Sequence, residues 1–161
     1  MPDDTIDSRA LDDTVGDLRI AMVMTSVDGV WSSRPLTCVE VDHSFVRFLV
    51  DASTDWVADL MRADAAVHMT FSDPRLNTFV SLNGTSFISA DPAEINRLWA
   101  PAAAAFLRGP EDPDVRVLQV KVDDGQWWDG PSGRLGQTVG LLRAAINDDP
   151  SLVGDHGVVD V

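Results

Sequence analysis

The stretch Ile20-Ala21-Met22-Val23-Met24-Thr25-Ser26-Val27-Asp28-Gly29-Val30-Trp31-Ser32-Ser33-Arg34-Pro35-Leu36 says more about the fold than any other. An apolar run ends at Asp28-Gly29, a pair that accepts the positive φ angles of a tight two-residue hairpin. A strand, a turn and a second strand follow, so the first sheet pairing is antiparallel. The second strand, Val30 to Val41, is interrupted by Pro35, which lacks a backbone donor and therefore marks an edge or a bulge. Asp42-His43 makes another turn, and Phe45 to Val50 is rich in strand formers. The three segments read as a meander.

Outward from the meander, the period changes. Trp56, Val57, Leu60 and Met61 form a helical stripe within 54–64, opened by Thr54 or Asp55 as N-cap. Strand periodicity resumes at Ala66 to Phe71, with Val67, Met69 and Phe71 on one face. Phe79 to Ser89 is a longer strand in which Asn83-Gly84 reads as a bulge, the shifted parity placing Phe87 on the face of Val80 and Leu82. Asp91-Pro92 opens a helix with Ile95, Leu98 and Trp99 on its stripe. A connection rich in loop residues runs from Pro101 to Pro113. A last strand, Val115 to Val122, directs Leu118, Val120 and Val122 inward. Asp124-Gly125 and Trp127-Trp128 come next, and Leu135, Val139, Leu142 and Ile146 place a final helix over 132–147. Consecutive strands joined by hairpin turns, with short helices between them, define a mainly β fold. An open sheet would leave two edges and one face unprotected, so the reading is an antiparallel barrel.

With 161 residues, 45% of them apolar, the chain suits one domain. Its boundaries are read as a barrel domain at 18–147, with an acidic N-terminal tail or helix start at 1–17 and an acidic C-terminal tail at 148–161. Both tails read as solvated. The net charge of −14 is concentrated at these ends, and the lack of any basic stripe argues against nucleic acid. The single Cys38 cannot form an intrachain disulfide and suits a reducing compartment. The acidic Met1–Asp7 segment is unlike a signal peptide, and no apolar run is long enough to span a membrane. Together these features predict a cytoplasmic protein with no membrane partner.

Chemical motifs are sparse. His43, His68 and His156 are far apart in sequence and imply no metal site. Ser33, Ser81 and Ser86 lack a strand-turn-helix elbow, Cys38 sits mid-strand, and no catalytic residue is assigned. Arg34, beside the irregularity at Pro35, has two readings: its fork of donors holds a phosphate or carbonyl, or it pairs with one of the 23 Asp residues. Trp31, Trp99 and Trp127 read as core or dimer contacts and Phe106 as packing.

From Arg19 to Gly133 the chain resembles the general stress protein 26 group of the pyridoxamine 5′-phosphate oxidase-like, FMN-binding split-barrel superfamily. The matching pieces are Ile20-Ala21-Met22, Ser33-Arg34-Pro35-Leu36, Asp51 before a short helix, Val80-Ser81 with Gly84-Thr85, Leu98-Trp99 with Pro101, Asp112-Pro113-Asp114, and Trp128-Asp129 with Pro131-Ser132-Gly133. They cover about 115 of the 161 residues. The resemblance implies an antiparallel six-stranded split β-barrel, a homodimer with two sites at the subunit interface, and FMN as cofactor. It places Ser33, Arg34, Pro35 and Leu36 at the flavin ring or phosphate, Val50 and Asp51 at the ribityl chain, and Trp128 near the ring.

The departure from the family is local. Where the family reads Thr-Asp-x-x-Ser-x-Lys, this chain reads Val50-Asp51-Ala52-Ser53-Thr54-Asp55-Trp56. Thr54 keeps a hydroxyl, and Trp56 replaces the cation that grips the phosphate. Losing one charge-assisted contact of this kind costs about 1.5–3 kcal/mol. Arg62 is a candidate replacement cation, and the indole a candidate to stack on an aromatic ligand. The resemblance implies an FMN-binding, general-stress-type protein and, if it is an enzyme, a flavin-dependent oxidoreductase. The alternatives are a non-enzymatic dimeric split barrel with lost or altered flavin binding, and a deazaflavin-dependent reductase. Pyridoxamine phosphate oxidation needs more cations near the substrate than a chain whose one lysine is Lys121 offers.

Overall fold

The computed structural model describes residues 7–62, 65–130 and 155–161. The helix expected over 132–147 lies outside the described residues. The strands are β1 (Asp7–Ala10), β2 (Ile20–Val27), β3 (Val30–Val41), β4 (Phe45–Asp51), β5 (Ala66–Asp73), β6 (Thr78–Ser89), β7 (Val115–Asp129) and β8 (Asp155–Asp160). Between them lie the short helices α1 (Leu11–Val15), α2 (Asp55–Leu60) and α3 (Pro92–Leu98), and a 3₁₀ turn at Pro101–Ala105.

The hairpin forms as the sequence predicts. Asp28 and Gly29 both have positive φ, 49° and 79°, and Val27 faces Val30 across the turn. At the next turn the Asp42 carboxylate accepts from the backbone N–H groups of Ser44 and Phe45, fixing the entry into β4. Strand order is β1-β8-β7-β4-β3-β2-β5-β6, and β6 also pairs with β7. That last pairing closes β2 to β7 into a six-stranded antiparallel barrel, with β8 and β1 added along the outer part of β7. The core is the barrel interior, filled by side chains such as Val23, Phe48, Met69, Phe71, Leu82 and Trp127. A smaller cluster of Ile95, Leu98, Val115 and Val117 seats α3 on the outside.

Several expectations change. The strand expected to stop at Val122 runs on through Asp124-Gly125 to Asp129. The bulge lies in β7: Asn83 faces Asp124 while Gly84 faces Val122, leaving Asp123 as the extra residue. β6 therefore keeps strict alternation, Gly84 and Ser86 point inward with Val80 and Leu82, and Phe87 is exposed rather than inward. The end segments are not wholly solvated, because Leu11 and Val15 are fully buried and 155–160 form β8, His156 included. No helix among the described residues is long and apolar enough to cross a membrane.

An ionic clamp ties α3 to the barrel. Arg47 on β4 pairs with Glu40 at 2.8 Å, with Asp42, and with Glu94 of α3 at 3.6 Å, while Arg97 of α3 reaches Glu40. The hydrogen bond from Arg97 is the main cause that holds the Glu40 carboxyl below its ordinary range. Partial burial opposes ionisation of Asp42, but the bond from Arg47 and the two backbone N–H groups outweigh it and its pKa also falls. Replacing Arg47 by Ala leaves these half-buried carboxylates facing one another and is expected to cost about 2–3 kcal/mol at neutral pH. Carboxyls with depressed pKa stabilise the fold above their unfolded values and lose that effect as pH falls through the folded ones. The wild-type advantage over Arg47→Ala in urea unfolding is thus expected at pH 7 and should shrink below about pH 4. An equal gap at both pH values would sink the clamp.

Candidate functional site

Register between β3 and β4 covers only Cys38 to Val41 against Phe48 to Val46. Upstream of Cys38, β3 pairs with β2 alone, which is where Pro35 costs no ladder bond. The barrel is split here, and a cavity of about 430 Å³ occupies the opening. Its walls are Pro35 to Val39 of β3, Leu49 to Asp51 of β4, Thr54 and Trp56 at the start of α2, and the connection from Ala100 to Leu107. Arg19 stands at the edge, just before β2.

Six of the nine residues suggested by the sequence line this cavity: Pro35, Leu36, Val50, Asp51, Thr54 and Trp56. Arg34 does not line it, but its guanidinium carbon lies 4.3 Å from the centre of the Trp56 ring. Arg34 also donates to Thr25 Oγ1 at 3.0 Å and to Ser32 Oγ, and among the described residues it pairs with no Asp. Partial burial lowers its pKa. Ser33 faces outward, opposite Met24. Trp128 lies on the outer face of β7 beside Phe79, away from the cavity. Arg62 pairs with Asp59 at 2.8 Å, its side chain largely in solvent, and is not a wall residue.

Polar groups in the wall are few and mostly engaged. The Thr54 hydroxyl donates to the Asp51 carbonyl at 2.7 Å. The Asp51 carboxylate accepts the Ser53 N–H at 2.8 Å, and hydrogen bonds from Ser53 hold its pKa below the ordinary range. Cys38 Sγ lies 3.4 Å from the Glu40 carbonyl, and burial pushes the thiol up to about 11, so it stays protonated and behaves as an apolar wall group.

Sequence reasoning missed Arg19, Cys38 and the Ala100–Leu107 wall. Pro101 followed by four alanines was a usable signal, since it favours a tight turn with a small-residue surface. Phe106, expected to be packing, is 81% exposed at the cavity mouth.

The fold is that of a split barrel with an apolar cavity between its parted strands. The chain belongs to the pyridoxamine 5′-phosphate oxidase-like family, whose model matches residues 7–150. Among solved structures, a protein assigned to general stress protein 26 from Jannaschia sp. CCS1 is similar, with a TM-score of 0.74 at 22% identity over 92% of this chain and 94% of that one. The general stress FMN/FAD-binding protein of Xanthomonas citri matches with a TM-score of 0.60 and 28% identity over 72% and 83% of the two chains. An F420 reductase matches with a TM-score of 0.56 and 17% identity over 71% and 94%. No curated protein matches the chain.

Proposed function

We propose that this protein is a homodimeric, flavin-binding split barrel of the general-stress type that acts in the cytoplasm, with the isoalloxazine ring seated in the cavity beside Trp56. The observation that carries the reading is the convergence of Pro35, Leu36, Val50, Asp51, Thr54 and Trp56 on one cavity. Its volume falls in the range of roughly 300–1,000 Å³ typical of small-molecule sites. Its apolar wall suits the flat ring. The phosphate of FMN fits less well, because Trp56 stands at the start of α2 beside Asp51 and Asp55 and Arg34 is committed to Thr25, Ser32 and the indole. When bound, a flavin supplies hydride and electron transfer, while the chain supplies orientation and shields the ring from water. If the protein is an enzyme, it is a flavin-dependent oxidoreductase.

The dimer has its own support. Met22, Thr70, Ser81, Gln126 and Val158 are neighbours across successive strands on the outer face. Ile20 lies beside them, and Ser72, Phe79 and Trp128 form the adjacent row. No charged side chain stands in these positions, although the chain carries −14. Two strongly acidic copies meet most readily through a neutral face. Trp128, which its own chain keeps out of the cavity, lies on the face that a second copy covers.

Titration of the purified protein with FMN, followed by quenching of flavin fluorescence, tests the flavin reading. Saturable micromolar binding at one flavin per chain is expected, weakened about tenfold in Trp56→Ala by loss of ring stacking. Absence of binding, with binding gained by Trp56→Lys, would mean that the barrel has given up flavin and serves another ligand.

A further inference from the structure

Charge is not spread evenly along the cavity. β3 and β4 are still paired at Cys38 and Phe48, and beyond that pair Leu49 to Asp51 run antiparallel toward the level of Pro35 as the strands part. The parted end holds Trp56 and the Asp51 carboxylate, and Asp55 is the first residue of α2. The first turn of α2 has no side-chain cap, so its N–H groups are open, but the helix is only six residues long. An anion placed there shares the turn with two carboxylates.

The other end holds Arg19. This residue continues the β2–β3 ladder by one pair beyond Ile20, its carbonyl accepting the Cys38 N–H at 2.7 Å. In strand parity it follows Ala21 and Val23, which are buried in the barrel, but at the rim it is exposed and forms part of the cavity wall. Its positive charge is felt at the Cys38 thiol, where it opposes the upward push of burial. Among the described residues its guanidinium has neither an ion pair nor a hydrogen bond. The neighbouring arginines differ. Arg34 is held by Thr25 and Ser32, Arg62 by Asp59, and Arg108, just past the wall, lies 4.0 Å from Asp112. In a chain of net charge −14, an arginine with no carboxylate partner on an apolar cavity is the group best placed to take an anion from outside. The spacing suits an elongated ligand. The Arg34 guanidinium lies against the Trp56 ring, and Arg34 precedes Cys38 by four residues of strand, about 13 Å.

Resting on the flavin reading above, we infer that Arg19 is the residue that reads the ligand's terminal phosphate, at the Cys38 end of the split and away from α2. The ligand class is a phosphomonoester of a flavin, lying with its ring toward Trp56 and its phosphate toward Arg19. The cation lost at position 56 is replaced from the segment that leads into β2.

The test is a paired titration of the full chain with FMN and with riboflavin, repeated in Arg19→Ala, Arg19→Gln and Arg108→Ala. The wild type is expected to bind FMN at least about tenfold more tightly than riboflavin, and the gap should narrow at about 0.5 M salt because the guanidinium is exposed. Arg19→Ala should bring FMN down to the level of riboflavin while riboflavin itself stays within about twofold of wild type, which also reports an intact fold. Arg19→Gln keeps the stem of the side chain and gives the same reading should Arg19→Ala melt early. Arg108→Ala should keep the preference for FMN, and an equal loss there would reduce Arg19 to one charge among several and overturn its role. Equal affinities in the wild type would overturn the inference and leave the flavin reading standing. A preference that persists in both Arg19 variants would overturn it as well and move the phosphate to the open N–H groups of α2. Failure of the wild type to bind either ligand would remove the flavin reading and this inference with it.

Discussion

Gly84→Ala is expected to destabilise the barrel by about 2–3 kcal/mol, the upper range for forcing atoms into a filled core. Gly84 lies inside β6, opposite the point where β7 carries its extra residue, Asp123. A β-carbon there would overlap the Lys121 carbonyl oxygen and stand 2.8 Å from Val120 Cγ1. The obstacle is space and not conformation, because Gly84 is not among the residues with positive φ. Neither neighbour has room to retreat: the Lys121 carbonyl belongs to a strand paired on both sides at that level, to Phe45 of β4 and to Thr85 of β6. Urea unfolding of the two proteins side by side gives the answer. A difference under about 0.5 kcal/mol would show that the bulge slides to make room.

The double variant Met22→Asp with Phe79→Asp is expected to turn a dimer into a monomer, raising its dissociation constant by at least about a thousandfold, or roughly 4 kcal/mol. Both side chains are about 40% exposed on the outer face of the barrel. Each substitution removes apolar surface from the centre of the proposed contact. By two-fold symmetry it also places paired carboxylates on opposite sides of a drying interface. Because the side chains point away from the core, circular dichroism and melting should show an intact fold. Sedimentation of wild type and variant at micromolar concentration decides the matter. A monomeric wild type would end the dimer proposal, and a variant that stays dimeric would move the interface to another face.

What the sequence made legible was local. Asp28-Gly29 announced its hairpin, Asp91-Pro92 its helix, and the alternation of Val67, Met69 and Phe71 its inward face, because each signal depends on residues within a few positions. Closure was harder to read. Asp124-Gly125 has the composition of a turn, yet β6 and β8 on either side hold that segment in β7, so tertiary pairing overrides the local preference. The same override moved the bulge from Asn83 to Asp123 and turned Phe87 outward. For the cavity, the short motif around Arg34 and the run from Val50 to Trp56 fall together at one opening, since both flank the place where β3 and β4 part. Arg19 and Phe106 were invisible because they reach the opening from distant parts of the chain and carry no spacing rule.

β7 is the one strand among those described that bonds to three others: β6 along nearly its whole length, β4 over its first half and β8 over its last residues. As the chain leaves the ribosome, the strands before it make an open ribbon with β4 at one margin and β6 at the other. No pairing joins those margins until residues 115–129 have emerged. The growing chain therefore carries two sticky borders for most of its synthesis, and the barrel shuts late and in a single step. Such a protein folds slowly for its size, and its time of greatest danger from aggregation lies before β7 is made.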